Sequence, residues 1–321
     1  LFMDTLLEQI YRIGIVPVIK ITSLDSAVPL ARALQAGGIP VAEVTFRTEY
    51  AAEAIRRISA ELPNVLTGAG TVTSIAQVEE AITAGARFIV TPGFNPKVVD
   101  YCLEKNIPIF PGAPSTSDIE QAIERGLKVV KCFPAEALGG LDYIKAVSAP
   151  YSSVKFMPTG GVSLKNINNY LGFSKVLACG GSWMVDQKLI DAGDYEGITR
   201  LCIEAVDTVL GLEVAHVGIN SNDAAEAGHT VKLLAALLHA PERETPSVCY
   251  VGDRIEVMKK VGRGENGHLA IACNNLDRAI FQLERRGIVF DHEAAGVDSV
   301  GHRYIFLQDS IAGFAIHLTE K

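Results

Sequence analysis

Between residues 15 and 182 the sequence returns eight times to a short apolar or β-rich run, at a spacing that a strand plus a helix would fill. The runs are IVPVIKI (15–21), VAEVTF (41–46), VLTGAGT (65–71), FIVTPG (88–93), IPIFPGA (107–113), VVKCFPA (129–135), VKFMPTG (154–160) and VLACGGS (176–182). Stretches such as SAVPLARALQAGG and SIAQVEEAITAGA separate them, with apolar positions three and four apart and glycine at the exit, the pattern of amphipathic helices. Eight strand–helix units in about 200 residues predict an α/β fold, a TIM (β/α)8 barrel at the small end of its size range. The competing architecture is a doubly wound open sheet, yet no G-x-G-x-x-G follows the first run.

Alternation along a strand decides which side chains enter such a barrel. In the second run Glu43, Thr45 and Arg47 share one face, while Ala42, Val44 and Phe46 share the other. Helices covering a barrel need apolar partners, so the first three are expected in the lumen or at its mouth. The same logic turns Val129, Lys131 and Phe133 inward and Val130 and Cys132 outward. Glu43 and Lys131 are thus expected inside, with Arg47 at the C-terminal rim, the face on which barrel enzymes carry their chemistry. Burial disfavours an ammonium relative to a neutral amine, and the neutral amine is the nucleophile that forms a Schiff base with a carbonyl. Lys131 could instead snorkel to solvent or form a structural pair with Glu43.

The seventh and eighth runs end in PTGG (158–161) and CGGS (179–182). Thr159, Gly160, Gly161, Gly181 and Ser182 are therefore candidates for a phosphate site, where glycine lets backbone N–H groups approach an anion and a hydroxyl adds a donor. The alternative is that these glycines only permit tight turns.

With 321 residues, 48% of them hydrophobic, the chain can fill one large barrel or two domains. A net charge of -8 argues against a general nucleic-acid or anionic-membrane surface. No apolar run reaches the ~18 residues that suggest a membrane span. Six scattered cysteines, with no CxxC and no secretory leader, fit a reducing cytoplasm. Leu1 and Phe2 precede Met3 and are left out of this reading. All seven histidines lie beyond residue 213, which places a boundary near Gly211, after YEGITRLCIEAVDTVLG, and gives domains of residues 3–210 and 213–321. Any acid–base chemistry in the first domain must use carboxylates, lysines and water.

Two segments, GIPVAEVTFR (38–47) and GLKVVKCFPAEALG (126–139), closely resemble the signatures of the 2-keto-3-deoxy-6-phosphogluconate and 4-hydroxy-2-oxoglutarate aldolase family. GAGTV, TPG, PTGG and GGSW fall between and after them in the family's order, and the resemblance covers roughly residues 3–208. Cys132 departs from the bulky apolar residue usual at its place, and its outward position makes this a packing change. The resemblance implies a class I aldolase that needs no metal or other cofactor. Lys131 would form the Schiff base with the 2-keto group, Glu43 would shuttle protons, and Arg47 would hold the substrate carboxylate by a bidentate pair. Thr71 would donate to the keto acid, and Pro92 and Phe133 would shape the pyruvate pocket. The implied substrate is a small keto acid, phosphorylated or not, and the implied assembly is a homotrimer.

From residue 213 onward the sequence shows a weak duplication, in which EVAHVGIN (213–220) and NGHLAIAC (266–273) each lead a helical stretch and further strands. Each half is expected to be a β-α-β-β unit with one more short strand, and halves this small should pair their sheets around one cavity. His216 and His268 sit on the first strand of each half, and Glu256 and His317 on the last. This arrangement resembles the vicinal oxygen chelate superfamily, which includes glyoxalase I, with His317 where a glutamate is usual. The resemblance implies that His216, Glu256, His268 and His317 hold a divalent metal, and three imidazoles with a carboxylate suit Zn, Ni, Mn or Fe. His229, His239, His292 and His302 are expected on the surface. The C-terminal module could otherwise be a sensor or oligomerisation element without turnover, and the barrel a non-catalytic binder of phosphorylated metabolites.

Overall fold

The computed structural model describes residues 2–298 and 301–321. The chain divides into two compact units, Leu1–Val209 and Leu210–Lys321.

In the first unit helix α1 (Phe2–Ile13) precedes eight parallel strands: β1 (Ile15–Ile19), β2 (Val41–Thr45), β3 (Leu66–Gly70), β4 (Ile89–Val90), β5 (Ile109–Phe110), β6 (Val129–Cys132), β7 (Lys155–Pro158) and β8 (Cys179–Gly181). Helices α2 (Ala27–Ala36), α3 (Ala51–Glu61), α4 (Ile75–Thr83), α5 (Pro96–Glu104), α6 (Thr116–Glu124), α7 (Gly140–Ser148) and α8 (Ile167–Leu171) connect them, and α9 (Gln187–Ala192) and α10 (Tyr195–Leu210) follow β8. Six strands form one sheet in the order β5-β4-β3-β2-β1-β8, and β6 pairs with β7. Isolated parallel bridges Gly112–Lys131 and Thr159–Gly180 join the two pieces into a ring, the TIM-like α/β architecture.

The helices start where the sequence supplies caps. Ser74 accepts from the Gln77 N–H, and Asn95 accepts from the Lys97 N–H one residue before Pro96 opens α5. Ser115 and Asp118 form a reciprocal capping box at α6. Inside the ring, Phe88 and Phe110 pack edge to face with centroids 5.7 Å apart. Phe88 needs Gly68, because a Cβ there would lie 2.3 Å from its ring. The threonines at strand ends satisfy their buried hydroxyls locally: Thr45 donates to Ile19 O at 2.7 Å and Thr91 to Gly93 O at 2.7 Å.

The second unit runs β9 (Glu213–Asn220), α11 (Ala224–Leu238), β10 (Glu242–Glu244), β11 (Val248–Val251), β12 (Ile255–Met258), then β13 (Gly267–Cys273), α12 (Leu276–Arg285), β14 (Phe290–Val297), β15 (Arg303–Leu307) and β16 (Phe314–Glu320). It is mostly sheet: eight strands in the order β10-β11-β12-β9-β13-β16-β15-β14. The leading strands β9 and β13 meet antiparallel at the centre, and each has a parallel partner, β12 and β16. Ala227, Val231 and Ala235 of α11 bury themselves against Cys249, Val251 and Val257. His229, His239, His292 and His302 are exposed, and His292 lies on strand β14 rather than on a helix or loop. All six cysteines are free and buried. Among the described residues no helix is long and apolar enough to cross a membrane.

Candidate active site and candidate metal centre

Lys131 is the one buried lysine among the described residues, 5% exposed, and Glu43 is 0% exposed. β2 and β6 aim the two at each other across the lumen, with Lys131 Nζ 3.3 Å from Glu43 Oε1. Glu43 Oε2 is buried without a hydrogen-bond partner, so half of the carboxylate is unsatisfied and open to a proton or a ligand hydroxyl. Room for this carboxylate comes from Gly70 on the neighbouring strand, where a Cβ would stand 2.2 Å from Glu43 Oε1 and 2.6 Å from its Cγ. Nothing in GAGT signals this part for Gly70, because the need for space comes from β2.

The expected inward turn of Phe133 is corrected. Strand β6 ends at Cys132, so alternation no longer governs the next residue, and Phe133 is 37% exposed at the mouth. Its ring remains 5.5 Å from Lys131 Nζ and lies 3.4 Å from where a Gly160 Cβ would be. Cys132 is buried, and burial pushes its thiol up to about 11, which leaves it an inert packing group.

Arg47 follows β2 at the exposed rim, where its Nε donates to Thr45 Oγ1 at 3.1 Å. Thr71, half-buried just past β3, has a φ of 56°, a left-handed conformation that is costly for a β-branched residue and that concentrates at functional sites. Pro92 is half-buried beyond β4. Thr159 is buried and bridges to Gly180 between β7 and β8. Gly160 and Gly161 have φ values of 96° and 84°, so the turn after β7 does require glycine. Glu136 packs under that turn, donating its N–H to Gly160 O at 3.1 Å, while Tyr170 donates its hydroxyl to the Glu136 carboxylate. Ser182 and Arg47 line one cleft of about 360 Å³ above the lumen. Trp183 shares this cleft, and it packs so closely on Gly181 that a Cβ there would fall 1.9 Å from the indole.

The family model for KDPG and KHG aldolase matches residues 7–201. The chain belongs to the KDPG and KHG aldolase family. It is 49% identical over 207 residues to the 2-dehydro-3-deoxy-phosphogluconate aldolase of Treponema pallidum (strain Nichols), covering 64% of this chain and 99% of that protein. It is 45% identical over 201 residues to the KHG/KDPG aldolase of Escherichia coli (strain K12), covering 62% of this chain and 94% of that one. Among solved structures, the KDPG aldolase of Legionella pneumophila, with pyruvate captured as a covalent carbinolamine, superposes with a TM-score of 0.60 at 38% identity, over 62% of this chain and 97% of that one. The first unit of this KDPG and KHG aldolase family member is a class I aldolase that acts through a Schiff base. The family match ends at residue 201, ahead of the second unit.

In that unit the register of the sheet assembles a polar cluster. Glu256 on β12 and His268 on β13 both pair with Gly218 on β9, and His216 lies two residues earlier on β9. Gly218 is indispensable to this row, since a Cβ there would sit 2.0 Å from the His268 ring. His216 Nε2 and His268 Nε2 are 3.1 Å apart, and they lie 3.8 and 3.6 Å from Glu256 Oε2. Ligands bound at about 2.1 Å to one metal ion stand roughly 3.0–3.6 Å apart, so these three atoms lie within a few tenths of an ångström of a set that a single cation would hold. His317 adjoins them, its ring centroid 5.5 and 5.3 Å from those of His216 and His268, but it is not among the three whose ligand atoms converge within 4.8 Å. Its ring packs on Phe306 at 4.9 Å, and its buried Nδ1 has no partner.

Burial pushes the His317 imidazole down to about 4, helped by His268 and His216 and opposed by Glu256. Burial likewise lowers His216, against the pull of Glu256. For Glu256 burial acts upward, but the hydrogen bond from His268 and the facing imidazoles outweigh it and hold the carboxyl below its usual range. Neutral imidazoles beside an ionised carboxylate are the protonation states that a divalent cation requires.

Proposed function

We propose that the barrel cleaves 2-keto-3-deoxy-6-phosphogluconate to pyruvate and glyceraldehyde 3-phosphate, and 4-hydroxy-2-oxoglutarate to pyruvate and glyoxylate. The observation that carries this reading is the buried Lys131–Glu43 pair, 3.3 Å apart at the heart of the ring. The Lys131 amine attacks C2 of the keto acid to give a carbinolamine, and loss of water leaves the protonated imine. Glu43 protonates the departing hydroxyl and then takes the proton of the C4 hydroxyl. The C3–C4 bond breaks, its electron pair moves into the imine to form an enamine, and the aldehyde leaves. Protonation at C3 and hydrolysis return pyruvate and the free amine. Arg47 and Thr71 hold the keto-acid end, Pro92 and Phe133 border the methyl-bearing end, and Thr159, Gly160, Gly161, Gly181 and Ser182 receive the distal anion. The active assembly is a homo-oligomer, a trimer by resemblance. Pyruvate with borohydride should add a three-carbon mass at Lys131 and none in Lys131→Ala. An unlabelled wild-type lysine would make the barrel a binder of phosphorylated metabolites instead.

The second unit is a glyoxalase-like module of the vicinal oxygen chelate type in which His216, Glu256 and His268, with His317 beside them, hold one divalent metal of the Zn, Ni, Mn or Fe class. When bound, the metal would supply a Lewis acid to a small metabolite. The convergence of three ligand atoms supports this. Elemental analysis after gentle purification should find one metal per chain, lost in His268→Ala. A metal-free wild type would favour a sensor or oligomerisation role for this unit.

A further inference from the structure

The two halves of the second unit repeat one another position by position across the sheet. Glu256 pairs with Gly218, two residues after His216, and His317 pairs with Ala270, two residues after His268. One strand further out, Tyr250 pairs with Glu256 and Phe306 with His317. At the two edges, Arg243 pairs with Tyr250 and Asp291 with Phe306. Paired residues share a face, so matching rows flank the histidine cluster, Arg243–Tyr250–Glu256 on one side and Asp291–Phe306–His317 on the other. Cys249, Val251 and Val257 pack under α11, which leaves the first row on the opposite face of the sheet.

The rows differ in charge. Asp291 is neutralised within the chain by Arg263, 3.4 Å away, whose guanidinium also caps the Phe306 ring at 4.5 Å. Arg243 has no carboxylate partner among the described residues, and the neighbouring Glu244 is taken by Lys259. Its guanidinium lies 3.6 Å over the Tyr250 ring. Stacking of this kind holds the cation against the face and leaves its N–H donors in the guanidinium plane for an anion. The His216 and Glu256 side chains are each 22% exposed, so a small ligand can reach them.

We propose that the second unit takes a small dicarboxylate of four or five carbons, one carboxylate on the metal and the other on Arg243, with the chain lying over Tyr250. The inference rests on the metal-centre reading and deepens it. A divalent ion held by one carboxylate and neutral imidazoles keeps a single positive charge, and Arg243 adds a second at the other end of the row. A dianion with its charges at its two ends answers both, whereas a phosphate would crowd its charge onto a single guanidinium. Reach agrees. Strands stand about 4.8 Å apart, so two steps put the Arg243 backbone roughly 10 Å from that of Glu256. Subtracting about 2.1 Å for a metal–oxygen bond and about 2.8 Å for a charge-assisted hydrogen bond leaves roughly 5 Å between the ligand's oxyanions.

Full-length protein loaded with Co(II) has visible bands that report on the metal centre alone, whatever acids bind in the barrel. Succinate and glutarate should shift those bands saturably, with a Kd roughly tenfold or more below that of butyrate, which offers the metal a carboxylate and Arg243 nothing. Arg243→Ala should erase that preference and leave the butyrate Kd unchanged, and Arg243→Lys, which keeps the charge without the fork, should recover part of it. Arg263→Ala removes a cation from the other row and should leave the preference in place. Equal affinity for succinate, glutarate and butyrate in the wild type, a preference that survives Arg243→Ala, or one lost equally in Arg263→Ala overturns the proposal. A protein that takes up no cobalt refutes the metal reading itself, a failure distinct from a loaded centre that ignores the second carboxylate.

Discussion

At the scale of single residues, the buried Lys131–Glu43 pair depends on an absence. Gly70 is glycine because the Glu43 side chain occupies the volume where its Cβ would be. Gly70→Ala must push Glu43 off its position 3.3 Å from Lys131 or shift β3. The variant should lose about 1–3 kcal/mol of stability from overpacking. On the role proposed for Glu43, kcat should fall roughly a hundredfold or more, because a general acid–base held out of place contributes little. Steady-state kinetics beside a melting curve checks both. Some of the site was legible residue by residue, since a lysine in the apolar run VVKCF and a glutamate among VAEVT each oppose their surroundings. The place of Trp183 in the cleft was not, because its close packing on Gly181 exists only in three dimensions. The backbone of Thr71, with its positive φ, left no mark in a residue type that avoids that conformation.

At the scale of elements, apolar runs and glycine exits marked all eight barrel strands, but not their lengths. FIVTPG and IPIFPGA keep only Ile89–Val90 and Ile109–Phe110 as paired strand, since the prolines that follow cannot donate to a ladder. Phe133 left the lumen when its strand stopped early, and this is where strict alternation failed. In the second unit, the duplicated leading strands were readable from EVAHVGIN and NGHLAIAC, whereas the three-residue strand Glu242–Glu244 is exposed and charged and resembles a loop. Caps are the element-level devices easiest to test. Ser115→Ala removes the acceptor for the Asp118 N–H and one of the two donors to the Asp118 carboxylate, leaving the Ser115 N–H. It should cost about 1 kcal/mol in denaturant unfolding, with kcat unchanged, because neither Ser115 nor Asp118 lines the cleft above the lumen.

At the scale of the whole molecule, the partition of histidine divides the response to acid. Imidazoles are confined to the second unit, and two of them, His216 and His317, are held neutral by burial beside His268 and Glu256. An unfolded chain binds a proton at each near the ordinary value of 6.5, and the folded His317 resists until about 4. More protons are then bound by the unfolded state, so the stability from this burial is fully present above pH 6.5 and is lost as pH falls from 6.5 toward 4. The loss from His317 is on the order of 3 kcal/mol. Chelator-treated protein melted at successive pH values should show this decline, and His317→Phe should flatten it. The ring of the first unit has its own asymmetry. The strand that carries Lys131 belongs to a two-stranded leaf fastened to the rest by isolated bridges, Gly112–Lys131 on one side and Phe156–Val176 and Thr159–Gly180 on the other. On the β5 side the fastening falls on Lys131 itself, whose N–H donates to Pro111 O and whose carbonyl accepts from the Ala113 N–H, each at 2.8 Å, so the stave that bears the amine is pegged at its own rung opposite a Glu43 woven into the larger sheet.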